Sequence, residues 1–421
     1  MHIIFDLYGT LYQPGLSVMS ALRQMSDRLG LPYPDEAEVY QLLHQDVDTY
    51  LKTLFPQLSD YNELKALFLQ YEKQHTQGGD LFPGTKEVLS QLKEQGHRLS
   101  VCSTGNDSFM QSVLHQNGIA ECFQTIVSAR PFRSKGAAIA SFLRTGETAV
   151  LVGDTLIDFM AAYENHLPSI GVSHGFGAQD DFSAATFRAA NLEDVLDFVQ
   201  QVQVMDDLTK TWLRTPKARI LGVNGVDTSG KTTFARNYQR YLRAIGLEAE
   251  VVSMDDFHQP KAIRSAGNEK ESYYLHGFDT QKLIREILQP LLEQGRCETE
   301  ILCLNLKTDL FDKRVKVNLG PHTLLIVEGV YLFRPPLNSY IDTKVYLDIT
   351  FEEVLRRAEE RDVPLYGVEF LERYKTKYIP LQKRYVAEHH PKENADLVIS
   401  NMNPKRPYVV KSLPNSTLEK K

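Results

Sequence analysis

A glycine-rich segment in the second half of the chain restricts the fold strongly. Residues 225–232 read GVDTSGKT and fit the pattern G-x-x-x-x-G-K-[ST]. The segment follows an apolar run at 219–223 and opens a stretch with helical spacing at 233–245. A turn of this kind between a strand and a helix points backbone N–H groups and the helix dipole at a polyphosphate. The sequence therefore predicts a phosphate cradle, in which Lys231 would reach the β- and γ-phosphates and Thr232 would ligate Mg²⁺. The predicted nucleotide-binding residues are Gly225, Asp227, Thr228, Ser229, Gly230, Lys231, Thr232 and Thr233.

Short β-branched runs alternate with helix-like stretches in both halves of the chain, which predicts an α/β fold with two parallel-sheet domains. The strand candidates are residues 2–5, 98–102, 125–127, 149–152 and 169–172, then 219–223, 249–253, 300–304, 324–327, 345–347 and 397–399. A stretch of about 13–80 lacks strong strand signals and has helical spacing, so we expect a helical cap inserted into the first domain. The predicted boundaries are 1–204 for the first domain, 205–216 for a linker, 217–407 for the second domain and 408–421 for a loose tail.

Composition sets the broad class of the protein. A chain of 421 residues suits two to three domains at about 150 residues per domain. The net charge of −7 gives no basic field for nucleic acid or anionic lipid. The four cysteines form no C-x-x-C pair, which fits a reducing compartment. Asp6 interrupts any signal-peptide core, and no apolar run approaches about 18 residues. We expect a cytoplasmic protein that binds neither nucleic acid nor a membrane.

Acidic residues follow two strand candidates of the second half. Asp255 and Asp256 come directly after the run at 249–253, and Glu328 ends the buried run at 324–327. The carboxyl ends of parallel strands are where ligands bind, so one carboxylate could accept the proton of an attacking hydroxyl and another could hold Mg²⁺ or its water shell. Arg356, Arg357 and Arg361 follow on a predicted helix, either as a solvated face or as a lid that neutralises transferred charge.

The segment from about 217 to 407 resembles the uridine kinase-like group of P-loop kinases. The matching blocks are GVNGVDTSGKTTFA, SMDDFH, YYLHGFDTQKLIREILQPL, IVEGVYLF, RRAEERD and YKTKYIPLQKRY. The resemblance implies a P-loop kinase fold that binds ATP and Mg²⁺ through Lys231 and Thr232. It further implies Asp255 as catalytic base, Glu328 near the metal, Asp279 on sugar hydroxyls, and Arg357 and Arg361 in a lid. Asp256 and His258 replace the Ser and Tyr usual in uridine kinases, and Asp309 and Asp312 are the only trace of the block that reads the pyrimidine. The identity of the hydroxyl compound that accepts the phosphoryl group therefore stays open.

Three acids of the first half follow strand candidates. Asp6 comes directly after the run at 2–5, and Asp154 and Asp158 follow the run at 149–152. At one edge of a parallel sheet they would form an Mg²⁺ site for phosphate chemistry, and Asp6 could attack phosphorus. The segment Ser103-Thr104-Gly105-Asn106 offers hydroxyl and N–H donors to phosphate, and Lys135 could neutralise it.

Residues 1–200 resemble the haloacid dehalogenase superfamily of Asp-nucleophile hydrolases. The matching text is FDLYGTL, LFPGTKEVLSQLKEQGHRLSVCSTGN, SKGAAI and VGDTLIDFMAAYENHLPSIGVSHGFG. The resemblance implies a Rossmann-like domain with a helical cap, in which Asp6 is nucleophile and metal ligand and Lys135 is the phosphate-site lysine. It also implies that Asp154 and Asp158 complete the metal site, and that Thr104, with Gly105 and Asn106, binds phosphate. Tyr8 stands where the phosphatases carry an acid/base Asp, as in the dehalogenases, whereas the Gly153-Asp154…Asp158 pattern is that of the metal-dependent phosphatases.

The leading hypothesis is a bifunctional enzyme with two phosphate sites, an ATP-dependent kinase for a nucleoside-like or other small hydroxyl acceptor and an Mg²⁺-dependent phosphatase. The alternatives are a dehalogenase-type first domain, a catalytically weakened regulatory first domain that tunes a kinase of a non-nucleoside substrate, and a nucleic-acid repair enzyme. We expect a small-molecule acceptor and a phosphorylated metabolite as ligands, and a homo-oligomer is compatible with the sequence.

Overall fold

Each half of the chain folds around its own β-sheet. The computed structural model describes residues 1–13, 15–42, 47–75, 81–177, 182–215 and 217–412. It divides into two units, Met1–Val202 and Gln203–Lys421. The predicted α/β fold with two sheets of mainly parallel strands is confirmed.

The first unit contains a sheet that is parallel throughout the described residues. Its strands are β1 (His2–Phe5), β2 (Arg98–Ser103), β3 (Thr125–Ser128), β4 (Ala149–Gly153), β5 (Ser169–Val172) and β6 (Phe187–Ala189). They lie in the order β3-β2-β1-β4-β5-β6. The helices that follow the cap are α5 (Thr85–Glu94), α6 (Asp107–Gln116), α7 (Lys135–Ala140), α8 (Leu156–Glu164) and α9 (Glu193–Leu213). The strands of the centre are buried on both faces, as continuous apolar runs in a parallel sheet should be.

The predicted cap is helical in the described residues. It consists of α1 (Gly15–Leu29), α2 (Glu36–Leu42), α3 (Val47–Leu54) and α4 (Tyr61–His75), and residues 43–46 and 76–80 of the predicted range lie outside the description. Apolar residues at helical spacing build a core of the cap's own, which includes Leu22 and Met25 of α1, Leu51 of α3 and Phe68 of α4. A separate core allows the cap to be inserted after β1 without entering the sheet.

The second unit contains a sheet in the order β14-β13-β12-β7-β11-β8, in which β14 alone among the described strands is antiparallel to its neighbour. Its strands are β7 (Ile220–Gly225), β8 (Ala249–Ser253), β11 (Leu324–Gly329), β12 (Thr343–Asp348), β13 (Leu397–Ser400) and β14 (Tyr408–Ser412). A separate antiparallel hairpin joins β9 (Cys297–Asn305) and β10 (Leu310–Leu319). The helices are α10 (Lys231–Ala244), α11 (Lys261–Arg264), α12 (Glu269–His276), α13 (Thr280–Leu283), α14 (Gln289–Gln294), α15 (Phe351–Tyr366), α16 (Glu369–Arg373) and α17 (Ile379–His389).

Three sequence predictions need correction. The strand predicted at 300–304 belongs to the β9–β10 hairpin rather than to a parallel sheet. The segment predicted as a tail from 408 begins with β14, whose alternating Val409 and Lys411 pair with β13; residues 413–421 lie outside the description. The predicted linker at 205–216 is helical as far as Leu213, because no glycine or proline ends α9 before Pro216.

The second half of α9 packs within the second unit. Trp212 is fully buried, with its ring centroid 6.2 Å from that of Tyr238 in α10. The hydroxyl groups of Thr209 and Tyr238 are 2.9 Å apart.

Among the described helices, none combines the length and apolar character needed to cross a membrane.

Candidate active sites

The three acids predicted in the first half meet at the carboxyl edge of its sheet. Phe5 of β1 is paired with Val152 of β4, so Asp6 and Asp154 leave neighbouring strands at nearly the same level. Asp158 lies in the first turn of α8. All three side chains are buried, and one carboxylate oxygen from each lies within 4.8 Å of the others.

The acids are held in place by specific hydrogen bonds. Lys135, the first residue of α7, donates to Asp6 Oδ1 and to Asp158 Oδ1, the latter at 2.5 Å. The second oxygen of Asp158 accepts from the backbone and hydroxyl of Thr155, at 3.0 and 2.8 Å, which completes a capping box at the start of α8. Asp154 accepts from the Thr10 hydroxyl at 3.0 Å and from the Phe176 backbone N–H at 2.8 Å. The sequence reading did not single out Thr10 or Phe176, because Phe176 and Asp154 meet only in the folded chain.

One lysine does not balance three buried carboxylates. Burial, followed by the neighbouring carboxylates, raises the pKa of Asp154 well above its usual range. Burial also raises the pKa of Asp6 to about 6, although Lys135 opposes the change. The surplus negative charge and the oxygen-only donor set fit a hard divalent cation such as Mg²⁺. Gly9 and Gly175 leave space beside the Asp154 side chain, since a Cβ on either would lie within 2.4 Å of an Asp154 side-chain atom.

Tyr8 occupies the position of the missing acid/base. Its ring stacks on Phe109 at 5.9 Å, and Gly105 lies so close that a Cβ there would be 2.5 Å from Tyr8 Cε2. Burial raises the pKa of the Tyr8 phenol well above its usual range, so the group stays neutral at ordinary pH. A neutral phenol packed between Phe109 and Gly105 does not replace a carboxylate as a base.

The predicted phosphate-binding loop lies between β2 and α6. Thr104 is exposed, and its carbonyl oxygen accepts from Arg130 Nε at 3.0 Å. The Asn106 side chain accepts from the Ser108 backbone N–H at 3.0 Å and thereby caps α6, which leaves its amide N–H groups as its available donors. Thr104, Gly105 and Asn106 line one cavity together with Asp6 and Lys135.

That cavity has a volume of about 790 Å³ and extends from the sheet edge to the cap. The cavity is also lined by three residues that the sequence did not predict as site residues, namely Tyr50 of α3, Glu72 of α4 and Arg130 after β3. One signal for Glu72 was available, because it follows the buried Phe68 by one helical turn and so lies on the apolar face of α4.

The glycine-rich segment of the second unit forms the predicted strand–turn–helix. Gly225 ends β7, Gly230 adopts a φ of +87°, and α10 begins at Lys231. Three distant side chains brace the turn. Asn401 Nδ2 donates to the Ser229 carbonyl at 2.6 Å, Gln382 Oε1 accepts from the Asp227 N–H at 3.0 Å, and Arg357 donates to the Thr228 carbonyl at 3.1 Å. The remaining predicted nucleotide-binding residue, Thr233, is exposed in the first turn of α10.

Charged groups converge on this turn. Lys231 Nζ donates to the Val226 carbonyl at 2.8 Å, and Thr232 donates to Glu328 Oε1 at 3.0 Å, which brings the two predicted metal-site residues together. Burial lowers the pKa of Lys231, while Asp227, Glu328 and Asp255 oppose the change. Burial raises the pKa of Asp227 and of Glu328. The arrangement places carboxylates, which suit a divalent cation, beside a lysine, which suits a phosphate group.

Asp255 is the best exposed of these acids. It lies in a helical turn after β8, and its side chain is 68% exposed, whereas the neighbouring Asp256 forms an ion pair with Lys313 of β10. His258 is buried, its ring nitrogen lies 3.0 Å from the Asp255 carbonyl oxygen, and burial lowers its pKa. Asp255 is therefore free to meet an acceptor hydroxyl, which Asp256 is not.

The remaining predicted residues of the second site already have partners. Asp279 caps α13 by accepting from the Lys282 N–H at 2.9 Å. Arg357 is held by Glu353 at 2.7 Å and by the Asn401 carbonyl at 2.6 Å, so it supports the turn in this structure instead of lying in an open lid. Arg361 pairs with Asp362 at 2.7 Å, and Arg356 with Glu353 and Glu360. Asp309 accepts from the Lys261 N–H at 3.0 Å.

The first unit has a Rossmann-like α/β fold with an inserted helical cap, and the second unit has a P-loop fold. Residues 3–172 match the family model of haloacid dehalogenase-like hydrolases, and residues 220–406 match that of the phosphoribulokinase/uridine kinase family. The chain therefore joins a haloacid dehalogenase-like domain to a domain of the phosphoribulokinase/uridine kinase family, as the motifs predicted.

Similar proteins match one half of the chain at a time. A phosphoglycolate phosphatase from Nitrosococcus oceani is 26% identical over 189 residues, which cover 41% of this chain and 84% of that protein. A haloacid dehalogenase-like hydrolase structure from Streptococcus pneumoniae has 25% identity and a TM-score of 0.42, covering 47% of this chain and 97% of its own. A structure described as a possible uridine kinase from Bacillus stearothermophilus has 25% identity and a TM-score of 0.37, covering 46% of this chain and 96% of its own.

Proposed function

We propose that the protein is a bifunctional enzyme, with an Mg²⁺-dependent phosphatase in the first domain and an ATP-dependent kinase of a small hydroxylated metabolite in the second. The observation that carries the first half is the convergence of Asp6, Asp154 and Asp158 within 4.8 Å. Asp6 would attack phosphorus and form an aspartyl-phosphate, with Lys135 holding its carboxylate in place. Mg²⁺ on the three carboxylates would offset the repulsion between Asp6 and the phosphate.

The kinase half is supported by the braced glycine-rich turn. Its backbone N–H groups and Lys231 would bind the phosphates of ATP, and Thr232 with Glu328 would hold Mg²⁺. Asp255 would accept the proton of the acceptor hydroxyl as that oxygen attacks the γ-phosphate. The acceptor is proposed to be nucleoside-like or another small polyol, and Asp279, as a helix cap, has one oxygen left for a hydroxyl.

A dehalogenase is the second candidate for the first domain, because Tyr8 stands at the acid/base position. The surplus of buried carboxylates favours the phosphatase, since a metal-free dehalogenase has no need for it. Small-molecule ligands, a cytoplasmic location and self-association are part of the proposal, and the free state of all four cysteines agrees with a reducing compartment.

Asp6→Asn tests the nucleophile. We expect Mg²⁺-dependent phosphate release from small phosphate esters to fall by about 10³-fold or more, because an amide cannot form the aspartyl-phosphate. The control is Asp107→Asn, an exposed acid in the first turn of α6. Activity that persists in Asp6→Asn would reject this role, and halide release from haloacids by the wild type would favour the dehalogenase.

Asp255→Asn tests the base of the kinase. Phosphoryl transfer from ATP to a panel of nucleosides and polyols should fall by about 10²–10⁴-fold, while ATP binding stays close to wild type. The matched control is Asp256→Asn, whose carboxylate is paired with Lys313. If wild type phosphorylates no member of the panel, the kinase assignment is wrong as stated; if it binds ATP without turnover, a regulatory domain is the better description.

A further inference from the structure

Two buried polar side chains that line the cavity of the first domain make no hydrogen bond with another described residue. One is Glu72, which is 7% exposed. The other is Tyr50, whose hydroxyl is buried and which is 4% exposed. Both residues line the cavity that Asp6 and Lys135 line. Leaving two such groups unsatisfied is costly, so their presence indicates that a ligand supplies the missing hydrogen bonds.

The two groups lie on the cap, whereas Asp6, the acid that would attack phosphorus, lies at the sheet edge. Tyr50 belongs to α3 and Glu72 to α4, and both face a space of about 790 Å³. A phosphate ester bound with its phosphorus at Asp6 has to place its alcohol portion in the rest of that space. The alcohol portion therefore extends from the phosphorus toward the cap side of the cavity, which Tyr50 and Glu72 line.

We propose that Glu72 is the acid/base of the phosphatase reaction and supplies from the cap the proton transfer that Tyr8 cannot perform, with the Tyr50 hydroxyl as a second ligand of the leaving alcohol. The inference rests on the proposed phosphatase activity. It assigns the substrate class as phosphate monoesters of aliphatic alcohols, because an alkoxide leaves poorly unless it is protonated.

The proposed reaction has two steps, and Glu72 transfers one proton in each. Asp6 Oδ forms a bond to phosphorus while the bond from phosphorus to the alcohol oxygen breaks, and that oxygen takes the Glu72 proton to leave as an alcohol. Water then attacks phosphorus, the Glu72 carboxylate accepts a proton from that water, and the bond between phosphorus and Asp6 breaks. Inorganic phosphate leaves, and both Glu72 and Asp6 return to their starting states.

The electrostatic setting keeps Glu72 protonated at the start of this cycle. Burial raises the pKa of Glu72 to about 8, and the Arg130 guanidinium opposes the change. The other titratable groups that line the same cavity include the phenols of Tyr8 and Tyr50, the acid cluster with Lys135, and the Asp48–Lys65 ion pair at 2.5 Å. Because that pair joins α3 to α4 and carries no net charge, Arg130 is the cation that modulates Glu72 among the described cavity residues.

The test compares Glu72→Gln with wild type on two substrates in the full-length protein with Mg²⁺. Glycerol phosphate releases an aliphatic alcohol, whereas p-nitrophenyl phosphate releases a phenolate that is stable without a proton. For glycerol phosphate we expect kcat of Glu72→Gln to fall by about 10²–10⁴-fold. For p-nitrophenyl phosphate we expect a rapid burst of one phenolate per active site at close to the wild-type rate, followed by slow turnover, because water attack lacks its base. Glu63→Gln, an exposed acid on the same helix, is the matched control.

A pH profile gives an independent readout. In wild type, kcat for glycerol phosphate should decline as the pH rises through the Glu72 pKa of about 8, and Glu72→Gln should lack that decline. The proposal is overturned if Glu72→Gln matches wild type on both substrates, or if it slows the phenolate burst as much as the glycerol phosphate reaction. If wild type releases phosphate from neither substrate, the proposed phosphatase function fails instead, which distinguishes the two failures.

Discussion

At the scale of the residue, the first domain concentrates negative charge among buried side chains. Asp6 and Asp158 share Lys135 as their cation, and the neighbouring Asp154 is completely buried. An acid whose pKa is higher in the folded chain than in the unfolded chain binds more protons when folded. The metal-free fold therefore loses stability as the pH rises from the usual carboxyl range toward the Asp6 pKa of about 6.

The fall in stability with rising pH predicts how Mg²⁺ and pH together affect the stability of the first domain. Mg²⁺ should stabilise the first domain more at pH 7.5 than at pH 5, because protons compete with the metal for the same oxygens. At a metal concentration about 100-fold above Kd, binding contributes about 2.7 kcal/mol, or a midpoint increase of about 5–10 °C. Thermal unfolding with and without Mg²⁺ measures the shift. Asp154→Asn should abolish most of it, and an equal shift at both pH values would contradict the predicted site.

The residues of the sheet edge could be predicted from the sequence, whereas those of the cap could not. Asp6, Asp154 and Lys135 follow strands or open helices, so parallel pairing brings them together in any fold of this class. Glu72 and Tyr50 lie on helices whose packing depends on the cap's own core. The spacing from Phe68 to Glu72 marks the apolar face of α4, but which face of a cap helix meets the sheet edge is a tertiary property that this spacing does not give.

At the scale of the element, the glycine-rich turn depends on parts of the chain that are far away in sequence. The residue after β13, Asn401, donates to the Ser229 carbonyl, and Gln382 of α17 accepts from the Asp227 N–H. The motif itself was readable at 225–232, but its bracing by side chains that lie 129 to 172 residues away in sequence is a tertiary property that the motif does not give. The edge strand β14 was missed because its short YVVKS sequence lies within a stretch, 405–421, whose overall polar and basic composition is typical of a tail.

Asn401→Asp tests the brace. The aspartate keeps the shape of the side chain but loses the donor to Ser229 and adds a negative charge, so ATP binding should weaken by about 10-fold or more. The control Asn403→Asp adds the same charge two residues later at an exposed position. There the side-chain oxygen accepts from the Lys405 N–H, a role that an aspartate keeps. Titration calorimetry with a non-hydrolysable ATP analogue measures both variants. Equal weakening in both would show that charge rather than the brace is responsible.

At the scale of the whole molecule, the second unit begins inside a helix. The division between units follows Val202, whereas α9 extends from Glu193 to Leu213. A cut at the sequence-predicted boundary of 217 would remove Thr209 and Trp212, which contact Tyr238. Sequence patterns located the two domains but placed the start of the second domain at 217, after the end of α9. They did so because α9 continues without a break across the division between the units, so no local signal marks it.

Two fragments test this boundary. Residues 193–421 should unfold cooperatively and bind ATP, whereas residues 217–421 should be less stable by about 3–5 kcal/mol or fail to fold, because losing a buried aromatic side chain costs about that much. Circular dichroism during denaturant unfolding gives the comparison. Equal stability of the two fragments would show that the α9 contacts are unimportant to the second unit.

Trp212 is the single tryptophan of the chain, and it is completely buried in the second unit. Its indole N–H is buried and has no hydrogen-bond partner among the described residues, an environment that gives blue-shifted emission. Tryptophan fluorescence therefore monitors the surroundings of α9 and α10 in the second unit with no engineered label, while the first unit, which contains no tryptophan, is optically silent at that wavelength. A change in emission on ligand addition therefore reports a change around Trp212.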